Sequence, residues 1–179
     1  MDTDIKIFGE NEPRHCDDLD HVAAQTEALR EEGSLGQAKR LGRELAGLSV
    51  GNAQLLSVAE GLGLARGAAW EQQLQVLMVF SAQQALRALE PQLLAEAAIT
   101  AMNNYLINRA REFWDTISDG SAFTQYLLAV RDVPEAQPGL IGEVFARVCG
   151  QEDNADLHKL GATVFTTAHE LVAAKTPHL

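Results

Sequence analysis

The stretch Leu74-Gln75-Val76-Leu77-Met78-Val79-Phe80 is apolar on nearly every side when wound into a helix. A helix of that kind is covered by neighbours on several faces, not on one. The run is far shorter than the ~20 apolar residues that cross a bilayer, so it reads as the middle of a central core helix. The pattern predicts a helix over 68–89, and the rest of the chain is expected to pack around it.

Working towards the N-terminus, Leu55, Leu56, Ala59 and Leu62 recur at helical spacing. They predict a short helix capped by Asn52 and ending near Arg66. Gly61 and Gly63 weaken it, at ~1 kcal/mol each relative to alanine in a helix interior. Before it, Leu35, Ala38, Leu41, Leu45 and Leu48 form the stripe of another helix, which Ser34 is placed to cap. Leu19, Val22, Thr26 and Leu29 form a third stripe. Asp17 or Asp18 is expected to cap that helix, where a carboxylate meets free backbone N–H groups and the positive end of the dipole. Gly33 ends it. Residues 1–16 read as a lead-in, in which Ile5, Ile7 and Phe8 suggest an extended piece docked on the body.

Towards the C-terminus, Pro91 suits the first turn of a fifth helix. That helix is expected to run without a break over 91–117 and to be the longest. Ser121 caps a sixth, carrying Phe123, Tyr126, Leu127 and Val130. Pro134 and Pro138 mark the clearest loop, 132–139. A seventh helix carries Leu140, Ile141, Val144, Phe145 and Val148 and stops at Gly150. Asp153 or Asn154 caps the eighth, with Leu157, Leu160, Val164, Ala168 and Leu171 on one face and Pro177 closing it. No segment alternates as a strand would. The pairs around Gly33 and Gly51 resemble the helical hairpins of a solenoid, but no consensus recurs at a fixed period. The expected fold class is therefore all-α: a compact irregular bundle of about eight helices, mostly antiparallel neighbours, in one domain over 17–179.

Charge narrows the function. The formal net charge is −11. Residues 1–32 hold ten acids against three bases, whereas 33–70 hold two against four. The basic cluster Lys39, Arg40 and Arg43 is too small to overcome the field of the rest, which argues against a nucleic-acid partner. Cys16 and Cys149 are isolated and read as free thiols of a cytoplasmic protein. The acidic N-terminus lacks the apolar core of a signal peptide, and no membrane partner is expected.

Three groups could carry chemistry. Tyr105, Asn108, Arg109 and Glu112 lie on the fifth helix. There Arg109 shares a face with Leu94, Ala98, Ala101, Met102, Leu106 and Phe113. A guanidinium on such a face must find a partner. It could offer a bidentate fork to an anionic ligand, with Tyr105 and Asn108 as directional partners. It could instead pair with Glu112 three residues on, or cross a dimer interface. The second group, His15, Cys16, Asp17 and His21, contains metal-ligand types at a spacing that matches no zinc signature, so no metal is assigned. The third, His158 and His169, is spaced too widely along one helix to share a metal, at ~16 Å.

No phosphate-binding loop, dinucleotide fingerprint, metalloprotease helix, nucleophile elbow or calcium loop occurs, and no cofactor is expected. The sequence therefore favours a non-catalytic helical interaction or scaffold module that associates with itself or with a protein partner. The alternative is a small-molecule anion-binding protein or enzyme using Tyr105, Asn108, Arg109 and Glu112. A helical transcriptional regulator ranks below both, since no basic recognition helix is present.

Overall fold

The structure is a computed structural model. It describes the backbone of residues 14–51, 53–64, 70–118, 120–132 and 138–179, and their side chains except at 14–18, 54, 132 and 178. The expected lead-in contact of Ile5, Ile7 and Phe8, the Asn52 cap and the helix end at Arg66 lie outside the described residues. So do the side chains of His15, Cys16 and Asp17 from the second group, whose fourth member, His21, is exposed on the first helix. The described residues form only helices: α1 (Arg14–Glu31), α2 (Ser34–Gly51), α3 (Ala53–Gly61), α4 (Trp70–Leu86), α5 (Gln92–Arg109), α6 (Arg111–Ser118), α7 (Ser121–Asp132), α8 (Pro138–Val148) and α9 (Ala155–Lys175), with a final 3-10 turn, Thr176–His178. The all-α bundle is thus observed. Among the described residues no helix is long and apolar enough to cross a membrane.

Helix α4 is the axis. Every residue over 76–83 is buried, and the helix touches α2, α5, α7, α8 and α9. A stretch apolar on nearly every side has no face to spare for water, and over 76–83 it has been given none. Two helix pairs close around it through glycine. A Cβ on Gly42 of α2 would collide with the backbone of Ala98 on α5, and one on Gly142 of α8 would collide with the carbonyl of His158 on α9. Gly161 of α9 faces the same seam, where a Cβ would come within 2.8 Å of the Phe145 Cβ. These glycines let the backbones meet directly. Asn154 caps α9 as expected, its side chain accepting from the N–H groups of Asp156 and Leu157.

Four expectations are corrected. The fifth helix is not continuous: it breaks at Ala110 (φ −144°, ψ 52°), leaving α5 and α6 as separate helices. Arg109, the last residue of α5, stays in phase with Met102 and Leu106, which are both fully buried. It is nevertheless exposed, because the body ends beneath it, so no unpaired guanidinium is buried. The break lets α6 turn its own stripe inward at Ile117.

Helix α1 begins at Arg14, so Asp17 and Asp18 lie within the helix and do not cap it. Ser34 is committed elsewhere: its hydroxyl donates to the carbonyl of Leu179, tying the start of α2 to the end of α9's extension. The stripe of α1 is not covered, for Leu19 is 64% exposed and Val22 45%. No described residue of α1 is buried, because α2 is its main neighbour.

Candidate functional site

A groove of about 1000 Å³ runs between α2 and α5, with the C-terminal half of α1 on its rim. Its walls follow from the Gly42–Ala98 contact, which draws α2 and α5 together and leaves their outward flanks facing each other. The floor is apolar, built of Leu35, Leu93, Ala97 and Ala101. Successive residues four apart on α5 run from that floor, at Ala97 and Ala101, up to the wall at Tyr105 and Arg109. Lys39 and Arg43, also four apart, face them from α2. The Tyr105 hydroxyl reaches over to α2, 3.8 Å from where a Cβ on Gly47 would stand.

The electrostatics are uneven. Arg30, Lys39, Arg43 and Arg109 line the groove against the single carboxylate of Glu96. Arg30 is held by Glu27 at 2.7 Å. Lys39, Arg43 and Arg109 have no carboxylate within ion-pair distance among the described residues. In a chain of net charge −11, this is a local positive strip whose three cations find no carboxylate among the described residues.

The structure therefore brings three of the four sequence-derived residues, Tyr105, Asn108 and Arg109, to one groove. Glu112 does not line it. The break at Ala110 places Glu112 on α6, where it is exposed and makes no ion pair with Arg109. Asn108 is less available than expected, since its amide donates to the Asn104 carbonyl at 2.7 Å. Sequence reasoning missed the pairing of Lys39 and Arg43 with Arg109. The signal was present in the excess of bases over 33–70, but only the packing of α2 on α5 joins it to Arg109.

Two other groups stand apart from the groove. Tyr126 is completely buried against Phe80, with ring centroids 5.1 Å apart. Its hydroxyl has no hydrogen-bond partner among the described residues. Burial, and then the nearby Cys149, push the phenol well above its ordinary value. Burial also pushes the free Cys149 thiol up, to about 12, so it is a poor nucleophile at neutral pH. His158 and His169 each bond a carbonyl of their own neighbourhood, Glu152 and Phe165 respectively, and His169 also packs on the Phe165 ring at 4.3 Å. Among the described residues no cluster of His, Cys, Asp and Glu could hold a metal ion.

No family model, no curated protein and no solved structure matches this chain.

Proposed function

We propose that this protein is a non-catalytic interaction module and that the α2–α5 groove, with α1 on its rim, is where a protein partner docks. The observation that carries this reading is the strip of Lys39, Arg43 and Arg109, without a carboxylate partner among the described residues, above an apolar floor. A small-molecule site is a concavity that encloses most of its ligand, whereas this groove is long and open. An amphipathic helix laid into a groove uses the two features present here, apolar anchors on the floor and charge along the edge. The sign of the edge specifies an acidic helix. The chain's overall charge opposes a nucleic acid. A free Cys149 suits a reducing compartment, and the cytoplasm is the proposed location.

The test is fluorescence anisotropy with two labelled helical peptides that share a leucine stripe, one flanked by glutamates and one by lysines. The acidic peptide should bind at least about tenfold more tightly, a difference of ~1.4 kcal/mol. Ala101→Arg, which fills the floor, should abolish the binding. Equal affinity for both peptides, or tighter binding of a single-stranded oligonucleotide, would overturn the reading.

A second reading has one observation in its favour: Tyr105 and Arg109 share the groove with Lys39 and Arg43, a set that suits a small polyanion. Thermal shift with inorganic pyrophosphate separates the two. A shift that disappears in Arg109→Ala supports a small-anion site, and no shift leaves the protein partner.

A further inference from the structure

Among the described residues, the N-terminal half of α1 has no side chain that the rest of the chain buries. Residues 19–24 are all exposed. So short a stretch of helix gains little from propensity alone and needs packing for most of its stability. Its apolar side chains are nevertheless ordered along one face. Leu19, Val22 and Thr26 lie on that face. Farther along it, Thr26 and Arg30 line the groove, and Leu29 packs against the core. The stripe thus starts on the body and continues into water.

The flank of α1 is acidic. Asp20, Glu27 and Glu31 repeat along one side of the stripe, seven and then four residues apart. An apolar stripe edged by carboxylates is the complement of an apolar floor edged by Lys39, Arg43 and Arg109. One chain carries both halves of the match but cannot join them itself. Helix α1 is continuous from Arg14 to Glu31, and its C-terminal half already forms the rim, so its free half points away from its own groove.

We propose that the free half of α1 from a second copy lies in the α2–α5 groove, reciprocally, in a two-fold dimer. The inference rests on the reading of the groove as a docking site for an acidic helix. Two-fold symmetry makes each chain both donor and acceptor, so every favourable contact occurs twice. In the pair, Leu19 and Val22 leave water for the floor formed by Ala97 and Ala101. Asp20 meets Lys39 and Arg43 of the other copy, and Glu27, where the free half joins the rim, exchanges its Arg30 partner for the same cations. The attraction falls with added salt because the charges lie at a solvent-exposed rim.

Sedimentation velocity of the full chain over a concentration series tests the proposal. The wild type should dimerise. Asp20→Lys with Glu27→Lys should dissociate at least about tenfold more readily, and so should Lys39→Glu with Arg43→Glu. All four positions are exposed, and circular dichroism checks that both variants fold. An equal mixture of the two variants should recover the dimer, since reversed helix then meets reversed groove and native helix meets native groove. A wild type that stays monomeric overturns the proposal, as does a dimer indifferent to both reversals. So does a dimer broken only by Leu127→Glu with Leu128→Glu on α7, which would place the interface there. If the chain is monomeric while the acidic peptide still binds its groove, self-pairing falls and the docking reading stands. If the peptide also fails to bind, both fall.

Discussion

Helices α9 and α1 are comparable in length, at 21 and 18 residues, and both carry an apolar repeat. Their surroundings are opposite. Leu157, Leu160, Val164, Phe165, Ala168 and Val172 of α9 are buried, and its glycine contacts α8 at the backbone. On α1 Leu19 and Val22 are open while Leu29 packs on the core, and an acidic flank of Asp20, Glu27 and Glu31 runs beside the stripe. Periodicity is the same kind of signal in both. It specifies that a helix will form and which face is apolar, but not what covers that face. In α9 the cover is supplied by the same chain through Gly142 and Gly161. In α1 no described residue covers Leu19 or Val22.

The sharpest way to break this contrast is truncation in the core against truncation on α1. Phe80 is fully buried between Phe123 and Tyr126, with ring centroids at 5.3 and 5.1 Å. Phe80→Ala should cost ~3–5 kcal/mol in denaturant melts. Leu19→Ala should cost almost nothing in a monomeric chain, because its side chain is already in water. A large loss at Leu19 under conditions where the chain is monomeric would mean that α1 packs on its own body.

The glycine seams give the next largest effect. Gly142→Ala and Gly42→Ala each push a methyl group into a neighbouring backbone and should destabilise by ~1–3 kcal/mol, as overpacking does. Gly36 lies in α2 with nothing within 4 Å of an added Cβ. There Gly36→Ala should be neutral or stabilising by up to ~1 kcal/mol, since alanine gives up less backbone entropy in a helix. Thermal melts that ranked the three alike would show that the seams are not tight.

How much of this was legible in the sequence depends on where the deciding interaction lies. The core position of α4 follows from seven consecutive residues, and the Asn154 cap from its own side chain and the next three residues. Both are local. The break at Ala110 is not local. Asn108, Arg109, Ala110, Arg111 and Glu112 include neither glycine nor proline, and arginine, alanine and glutamate all favour helix. The break follows from where the body ends beneath α5 and from Ile117 having to reach the core. Ser34 is similar, for a capping residue was recognisable, but its bond to Leu179 depends on the far end of the chain. The groove required two helices to be set side by side, and in the sequence the glycine that sets them, Gly42, is one of 14 glycines with nothing to mark it out.

A smaller effect contrasts the sealed core with the open face through pH. The unfolded chain loses the Cys149 proton near its ordinary value of 9, and the folded chain near 12. Between these values the unfolded state binds fewer protons, so stability should fall as pH rises through that window. Tyr126 acts in the same direction at higher pH. Cys149→Ala should flatten the early part of the decline in denaturant midpoint. An unchanged slope would show that the thiol reaches water in the folded state.

The smallest effect on stability is expected at Arg109, and it is the most informative about the groove. A guanidinium buried in phase with Met102 and Leu106 would be costly to strip of its partner, on the order of 3–5 kcal/mol for a broken buried pair. That situation does not arise at the end of α5: Arg109 is exposed and has no carboxylate partner among the described residues. Arg109→Ala should therefore change stability by no more than the ~0–1 kcal/mol typical of exposed charges. Arg111, two residues on, makes an exposed i,i+4 pair with Asp115 at 3.0 Å, and Arg111→Ala should lose a similarly small ~0.3–0.5 kcal/mol. In melts the two variants are near twins. In binding they should part, because Arg109 lines the groove and Arg111 does not. Arg109→Ala should weaken capture of the acidic peptide severalfold and reduce its salt dependence, whereas Arg111→Ala leaves both unchanged. If both variants bind as the wild type does, the cation at the end of α5 takes no part in docking, and the positive strip shrinks to Lys39 and Arg43 on α2.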